Sequence, residues 1–229
     1  MTLEFKTKEH PKNIKQESID LGNFLIKNKN YFDIICKILY RRVAPINQIE
    51  KLKERIELFT EYDQIKNDNN YNDFKSLLFN FYNTDISTLN DRRGDFLEFI
   101  VREAYPPNCN KNNCERIFEC VFYNDGNLID ECNMDIDVVF KYEQIDLIEC
   151  KASLKAYLKP PDRATRDKRK KLQLMYHVKN IVSEDIHINS CNLFFATLAK
   201  SSTYERSILG SWRFPNIDIL TYPKIKNRM

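Results

Sequence analysis

The stretch that decides the fold reads Asp135-Ile136-Asp137-Val138-Val139-Phe140, followed after a short connection by Ile145-Asp146-Leu147-Ile148-Glu149-Cys150-Lys151. Such runs of β-branched and other apolar residues favour β-strands, and the short connection predicts a hairpin. If the hairpin is centred on Glu143, Asp137 lies directly across from Glu149, because both are equally far from that centre. A charge that merely faced a core would cost free energy, so this acidic pair requires an explanation.

The explanation that the residues favour is a metal site for phosphodiester hydrolysis. Opposed positions would hold the two carboxylates about 5 Å apart, and a divalent cation with a preference for hard oxygen ligands, Mg²⁺ or in its place Mn²⁺, would relieve their repulsion. Lys151 shares a face with Glu149. It would orient or help deprotonate the attacking water, or stabilise charge on the phosphate. The alternative is an ordinary amphipathic hairpin whose charges face solvent.

Further elements extend outward from the hairpin. Helices are predicted at 95–105 and about 163–182, and strands at 117–123, 192–199 and 217–222, with an Asn-Asp-Gly turn at 124–126 closing the first strand. The order of helix, three strands, helix and strand predicts an α/β layer arrangement with a mixed sheet.

The N-terminal part of the chain has a different pattern. Apolar residues recur at three- and four-residue steps through residues 1–88, which predicts a helical region. This region carries no recognisable chemistry, and a cap, a specificity element and an oligomerisation surface are all open readings. We therefore expect two parts, a helical region at 1–88 and a catalytic core with a C-terminal extension at 89–229.

These residues resemble the PD-(D/E)XK nuclease superfamily, which includes type II restriction enzymes. The resemblance covers roughly residues 91–199 and rests on Glu98 in the upstream helix, on Asp137 before a Val-Val pair, and on the Glu149-Cys150-Lys151 triplet. It implies a restriction-endonuclease-like fold, a mixed central sheet flanked by helices. It also implies that Glu98, Asp137 and Glu149 are metal ligands and that Lys151 is the catalytic lysine.

Some positions of the motif stay open. Asp135 lies on the same face of the predicted strand as Asp137, so it is an alternative ligand of the metal. The alternative interpretation of Glu98 is an ordinary helix residue that faces solvent. The proline that names the motif is absent, since Ile136 precedes Asp137. Relatives often carry a glutamine and an aromatic residue in the next helix, which Gln173 and Tyr176 match as possible auxiliary residues.

A basic segment follows the hairpin. The net charge is only +3, but residues 151–171 contain nine Lys or Arg and two Asp, a local charge of +7. Such a segment on a slightly acidic body predicts contact with a polyanion, although a solvated face is the common alternative. The residues expected to bind phosphates are Lys155, Lys159, Arg163, Arg166, Lys168 and Arg169.

Other features narrow the class of protein. The start of the chain lacks an apolar signal core, so we expect a cytoplasmic protein, and no apolar run approaches the roughly 18 residues of a membrane span. Seven cysteines then predict reduced thiols. The cluster of Cys109, Cys114, Cys120 and Cys132 lacks the paired spacing of a zinc site and has no histidine nearby.

The leading hypothesis is a Mg²⁺-dependent DNA endonuclease of restriction or anti-phage type. The family mostly acts on duplex DNA as dimers, so a homodimer is possible by analogy. The alternatives are an RNA-directed or structure-specific nuclease, and a nucleic-acid-binding or assembly subunit on a nuclease fold.

Overall fold

The computed structural model describes residues 3–40, 49–62, 65–106, 109, 111–129, 134–158, 165–184, 188, 190–211, 213–214 and 216–229. Within these residues the strands are β1 (Leu3–Thr7), β2 (Glu115–Asn124), β3 (Asn127–Leu128), β4 (Ile136–Lys141), β5 (Ile145–Cys150), β6 (Cys191–Ala196) and β7 (Ile217–Leu220). The helices are α1 (Gln16–Lys27), α2 (Phe32–Tyr40), α3 (Ile49–Tyr62), α4 (Tyr71–Tyr82), α5 (Ile86–Glu103), α6 (Leu154–Tyr157), α7 (Thr165–Ser183), α8 (Thr203–Ser211) and α9 (Tyr222–Lys226), and short 3-10 turns lie at Lys29–Tyr31 and Lys111–Asn113.

The strands form one mixed sheet in the order β1-β2-β4-β5-β6-β7, with β3 paired to β2. The pairs from β1 to β5 are antiparallel, whereas β5, β6 and β7 are parallel to one another. The parallel pairs need long crossovers, and α7 lies in the one between β5 and β6. The predicted α/β class with a mixed central sheet is confirmed, and the arrangement is consistent with a restriction-endonuclease-like fold.

Helices cover both faces of the sheet. One face packs against α1 to α5 and α9, through core residues such as Phe81, Phe96 and Phe140. The other face packs against α6, α7 and α8, through Leu147, Met175 and Phe195 among others. The helices of the N-terminal region therefore share a buried core with the sheet, and α5 begins at Ile86, just before the predicted boundary at residue 88. The division into two parts stays a prediction.

Helix α5 is the element that joins the N-terminal helices to the site. Asp85 caps its start by accepting hydrogen bonds from the backbone N–H groups of Ser87 and Thr88. Arg92 donates to the carbonyl groups that end α4, and Arg93 donates to those of Leu39 and Tyr40 at the end of α2. Both arginines are buried. They satisfy carbonyl groups that have no partner within their own helices, so α5 fixes where α2 and α4 end.

Strand β1 corrects the expectation that residues 1–88 are helical. Residues 3–7 pair antiparallel with β2 across the register Leu3↔Asn124 to Thr7↔Cys120. The segment is short and its partner lies far along the chain, so the helical pattern of its neighbours concealed it. None of the helices in the described part of the chain combines the length and the apolar composition needed to cross a membrane.

Candidate active site

The β4–β5 hairpin brings Asp137 and Glu149 together at one end of the sheet. The register runs from Lys141↔Ile145 to Val138↔Ile148. One pair further along this register, Asp137 lies opposite Glu149, which is the register that a hairpin centred on Glu143 predicts. At this point the Cys150 N–H donates its hydrogen bond to the Asp137 side chain and not to a backbone carbonyl of β4, with a distance of 2.6 Å to Oδ2. The strand itself therefore orients this acid.

Two lysines from different elements neutralise the acidic pair. Lys151 follows Glu149 on β5, forms an ion pair with Glu149 Oε1, and places its Nζ 3.6 Å from Asp137 Oδ2. Lys171 reaches in from α7, with its Nζ 2.8 Å from Glu149 Oε2 and 3.8 Å from Asp137 Oδ1. Glu149 is fully buried, and neither of its side-chain oxygens has a well-directed hydrogen bond. The two ammonium charges are thus its main compensation.

Burial and these charges set the protonation of the pair. Burial tends to raise the pKa of Asp137, but Lys151, Lys171 and the Cys150 N–H outweigh it and hold this pKa below its ordinary value. For Glu149, burial and repulsion from Asp137 prevail over the lysines and raise the pKa. Burial opposes the charge of Lys151, yet the two carboxylates raise its pKa well above the usual range. The cluster is a coupled set in which Asp137 is the stronger acid.

Strands β2 and β4 are both distorted where Glu119 lies opposite Asp137. Glu119 of β2 occupies the register position opposite Asp137 and has a positive φ of 46°, a conformation that costs a non-glycine residue about 1–3 kcal/mol. Alternation breaks here, because Ile136 and Val139 of β4 contact the same cluster on the α7 side of the sheet although they are three residues apart. Strict alternation along β4 predicts that Ile136 faces the same side as Val138 and Phe140, and the structure departs from it at Ile136.

The Glu119 carboxylate holds the N-terminal segment in place. The two carboxylate oxygens accept hydrogen bonds of 2.8 and 2.7 Å from the Lys12 N–H. The backbone carbonyl of Glu119 accepts a hydrogen bond from the Lys8 N–H. Asp95 of α5 accepts hydrogen bonds from the Lys12 side chain and from the Lys15 N–H. Residues 8–15 are therefore fastened beside the acids by two buried carboxylates.

Glu98 lies on α5 and lines the same space as Asp137. Its carboxylate forms an ion pair with Arg102 one turn further along the helix, and Arg102 Nη2 also lies 3.9 Å from Glu119 Oε1. Burial, followed by the negative charge of Asp137, raises the pKa of Glu98 to about 7, against the opposing effect of Arg102. The side chain is 7% exposed, so it is not the solvent-facing helix residue of the alternative interpretation.

Asp135, the rival of Asp137, has different neighbours. Its Oδ2 lies 3.2 Å from Lys8 Nζ and its Oδ1 lies 3.6 Å from Lys171 Nζ. It precedes β4, whereas Asp137 lies within the strand and accepts a hydrogen bond from β5. Asp135 is thus placed as the counter-ion of two lysines at the margin of the cluster.

A cavity of about 490 Å³ opens beside the cluster. Its walls come from the N-terminal segment, from α5 and from the ends of β2, β4 and β5. The lining residues are Lys8, His10, Lys12, Asn90, Asp91, Gly94, Glu98, Glu119, Asp135, Asp137, Cys150, Lys151 and Ala152. The wall therefore combines carboxylates with lysine ammonium groups, and several of them form ion pairs with one another.

The predicted phosphate-binding residues are only partly described. Lys168 Nζ lies 5.3 Å from the centre of the Tyr157 ring, whose other cationic neighbour is Lys151 at 5.4 Å, and Arg169 is exposed on α7. Lys159 and Arg163 lie outside the described residues, as do the side chains of Lys155 and Arg166. The role of the whole basic segment in phosphate binding stays a prediction.

Gln173 and Tyr176 face away from the acids. Gln173 is exposed, and it lies about 200° around the helix from Lys171 at 3.6 residues per turn. The Tyr176 hydroxyl accepts a hydrogen bond from the Asn216 N–H, and its ring packs 5.3 Å from that of Phe214. Lys171 is the residue of α7 that reaches the cluster. The sequence placed it in the basic segment, but nothing in the pattern distinguished it from its neighbouring lysines.

Among the described cysteines, Cys150 of the hairpin lines the cavity beside the acids. Cys120 is buried in the core on the α7 side of the sheet, and Cys109 and Cys114 are half-buried thiols near the start of β2 that form no disulfide. Cys132 lies outside the described residues. In the part of the chain that the structure describes, no three His, Cys, Asp or Glu side chains already surround a common cation position.

Comparison with known proteins gave only distant similarities. No protein-family model and no curated protein sequence matches the chain. Among solved structures, the chain is similar to Can2 from Sulfobacillus thermosulfidooxidans in complex with cyclic tetra-adenylate, at 12% identity and a TM-score of 0.42. It is also similar to VC1899 from Vibrio cholerae, at 9% identity and a TM-score of 0.37. Both alignments cover 98% of this chain but only 57% and 56% of the other two, so it spans little more than half their length.

Proposed function

We propose that this chain is a metal-dependent endonuclease that hydrolyses phosphodiester bonds, with DNA as its preferred substrate. The observation that carries the proposal is the opposed pair of Asp137 and Glu149, shared between Lys151 and Lys171 at the edge of a cavity. Paired carboxylates beside a lysine supply the groups that metal-assisted phosphoryl chemistry uses.

The donor set fits a small divalent cation such as Mg²⁺ or Mn²⁺. Asp137 and Glu149 offer hard oxygen ligands, and the buried Glu149 oxygens lack well-directed hydrogen bonds. Mg²⁺ is commonly held by one or two carboxylates, with water and substrate phosphate completing its shell. When bound, the ion supplies polarisation of the phosphoryl oxygen and a lower pKa for the attacking water. Glu98, paired with Arg102 in this structure, is proposed as the third acid.

Lys151 acts in this proposal as a source of positive charge. Glu149 and Asp137 raise its pKa in the metal-free protein, which favours the ammonium form, and an ammonium group at this place would stabilise negative charge that develops on the phosphate. Its Nζ also donates to the Cys150 carbonyl group at 3.1 Å, which fixes its direction relative to β5. Of the two roles open to this lysine, charge stabilisation is the one that the site favours.

Glu98 lines the same cavity as Asp137, so it can complete the set of acids around the cation. Burial and the charge of Asp137 raise its pKa to about 7 in the metal-free protein, and a bound cation would favour its ionised form. Lys8 and Lys12 line the same cavity from the N-terminal segment. They add positive charge for flanking phosphates, which contributes affinity without reading the base sequence.

The test is cleavage of several nucleic acids by the full chain. Supercoiled plasmid, single-stranded DNA, branched DNA and RNA are incubated with Mg²⁺ or Mn²⁺, and with a chelator as the control. We expect plasmid nicking that needs the metal and falls by a factor of about 100 or more in Lys151→Ala and in Asp137→Ala. Lys224→Ala, which removes an exposed surface ion pair with Asp218, serves as the matched control and keeps the wild-type rate.

The outcomes separate the competing functions. Faster cleavage of RNA or of branched DNA would assign the site to the RNA-directed or structure-specific alternative. Robust cleavage that survives both site substitutions would reject the assignment of the residues. Binding of nucleic acid without metal uptake or cleavage would identify a binding or assembly subunit. A homodimer and a role in restriction or anti-phage defence remain expectations from the family resemblance.

A further inference from the structure

Lys171 contacts more of the acidic cluster than its position in the sequence indicates. It is the seventh residue of α7 and lies outside the acid-x-lysine triplet. Its Nζ is 2.8 Å from Glu149 Oε2, 3.6 Å from Asp135 Oδ1 and 3.8 Å from Asp137 Oδ1. One ammonium group therefore faces three carboxylates that project from the other side of the site.

Both lysines and a divalent cation would compete for the same opposed pair of carboxylates. Asp137 and Glu149 carry at most two negative charges, and Lys151 and Lys171 already carry two positive ones within ion-pair distance. A cation held by the same two carboxylates would place two further positive charges beside these ammonium groups. Repulsion at such short range in a buried site is strong. One lysine must therefore draw back from the pair when the ion binds.

Lys171 is the lysine that has another partner. Lys151 is confined by the strand, because it follows Glu149 by two residues and donates to the adjacent carbonyl group of Cys150. Lys171 comes from a different element and already lies near Asp135, which forms no part of the opposed pair. Asp135 is 20% exposed, and Lys8 approaches its other oxygen at 3.2 Å. The shift from Glu149 to Asp135 thus keeps Lys171 paired and within the site.

We infer that Lys171 is a second active-site lysine, which neutralises Glu149 in the metal-free protein and is held by Asp135 to face the substrate phosphate once a divalent cation binds. Asp135 is then a positioning residue for Lys171 and not a ligand of the ion. The inference rests on the proposed function for its substrate, but its metal-binding part is measured without nucleic acid.

The first experiment is a calorimetric titration of the full chain with Mn²⁺. Lys171→Met removes the competing charge and keeps the length of the side chain, so Mn²⁺ should bind about tenfold or more tightly than to the wild type. Lys179→Met on the same helix, which lies near Cys191, is the matched control and should leave the Kd unchanged. An unchanged Kd in Lys171→Met would overturn the role as a counter-ion.

Asp135→Asn in two backgrounds separates a positioning residue from a ligand. In the wild type it removes the second partner of Lys171, so Mn²⁺ binding should weaken several-fold. In the Lys171→Met background Asp135 keeps its ion pair with Lys8 but no longer holds residue 171, so the same substitution should have a much smaller effect. Equal weakening in both backgrounds would make Asp135 a ligand and overturn the assignment. If Lys171→Met fails to fold, Lys171→Gln provides the uncharged background.

The second experiment measures the contact with phosphate. At saturating Mn²⁺, Lys171→Met should raise the KM for an oligonucleotide about tenfold, whereas Lys179→Met should keep it; an unchanged KM would overturn this contact. Failure of the proposed function gives a different result. Tighter Mn²⁺ binding in Lys171→Met with no cleavage of any nucleic acid would reject the nuclease and retain the counter-ion role.

Discussion

Replacing Glu98 by glutamine changes how the stability of the metal-free protein depends on pH. The folded protein holds the pKa of Glu98 at about 7, whereas the ordinary value is 4.5. Because the pKa is raised on folding, the folded state binds more protons than the unfolded state between these two values. Stability therefore falls as pH rises through this window.

The size of the effect follows from the shift. At about 1.4 kcal/mol for each pKa unit, the ionised carboxylate costs the folded protein roughly 3 kcal/mol above pH 7. Glutamine cannot ionise and resembles the protonated acid in shape. We expect Glu98→Gln to be more stable than the wild type by less than about 1 kcal/mol at pH 5 and by roughly 3 kcal/mol at pH 8.

Urea denaturation in the presence of a chelator measures the stability difference between Glu98→Gln and the wild type at each pH. Each free energy of unfolding is obtained at pH 5 and at pH 8, so that the acidic condition serves as an internal control for any loss of packing. The difference should also appear as a rise in Tm of about 6–12 °C at pH 8 for a chain of this length. The same stability difference at both pH values would refute the argument that burial and Asp137 raise this pKa.

Two further predictions concern the framework that carries the site. Gly22→Ala should lower the free energy of unfolding by about 1–3 kcal/mol, because the added Cβ would lie 2.3 Å from a ring carbon of Phe99. Gly210→Ala, whose Cβ would meet nothing within 4 Å, should raise the free energy of unfolding by up to about 1 kcal/mol. Equal effects of the two substitutions in denaturant titrations would contradict this packing. Arg93→Met should cost about 1–3 kcal/mol by leaving buried carbonyl groups at the end of α2 without a donor, whereas Arg206→Met at an exposed ion pair should cost less than about 1 kcal/mol. A similar loss in both would contradict the role of Arg93.

The local part of the site was predictable from the sequence. The register that opposes Asp137 and Glu149 follows from the length of one hairpin, and its two strands are neighbours both in sequence and in the sheet. Period-two alternation and a short connection carry that information without any knowledge of the rest of the fold. Strands β2, β6 and β7, the Asn-Asp-Gly turn and helix α7 were likewise marked by their own patterns, whereas β1 and β3 were not predicted.

Contacts between distant segments were not predictable in this way. Strand β1 pairs with residues more than 100 positions away, and its five residues carry too short a pattern to stand out. Glu119 has a positive φ, and its carboxylate binds an N-terminal segment about 100 positions away in the sequence. Both features arise from the tertiary structure, which overrides the local preferences of the residues.

Helix α7 shows why the composition of a segment does not identify its functional residue. Lys168, Lys170 and Lys171 are equivalent in a count of charge, and only the rotation of the helix against the sheet decides that Lys171 reaches Glu149. The buried stripe of Leu174, Met175 and Val178 sets that rotation. A helical pattern gives the stripe, but the height of the helix relative to the acids requires the three-dimensional structure.

The most direct test of the account is the rate of plasmid nicking as Mg²⁺ is titrated, compared between the wild type, Asp137→Asn and Asp218→Asn. Asp218 is a matched acid on β7 that pairs with exposed Arg206 and Lys224. We predict that nicking by the wild type and by Asp218→Asn rises to the same plateau with Mg²⁺, whereas Asp137→Asn stays at the level of the metal-free protein. Nicking by Asp137→Asn that follows the wild-type titration would contradict the claim that Asp137 and Glu149 hold the catalytic cation.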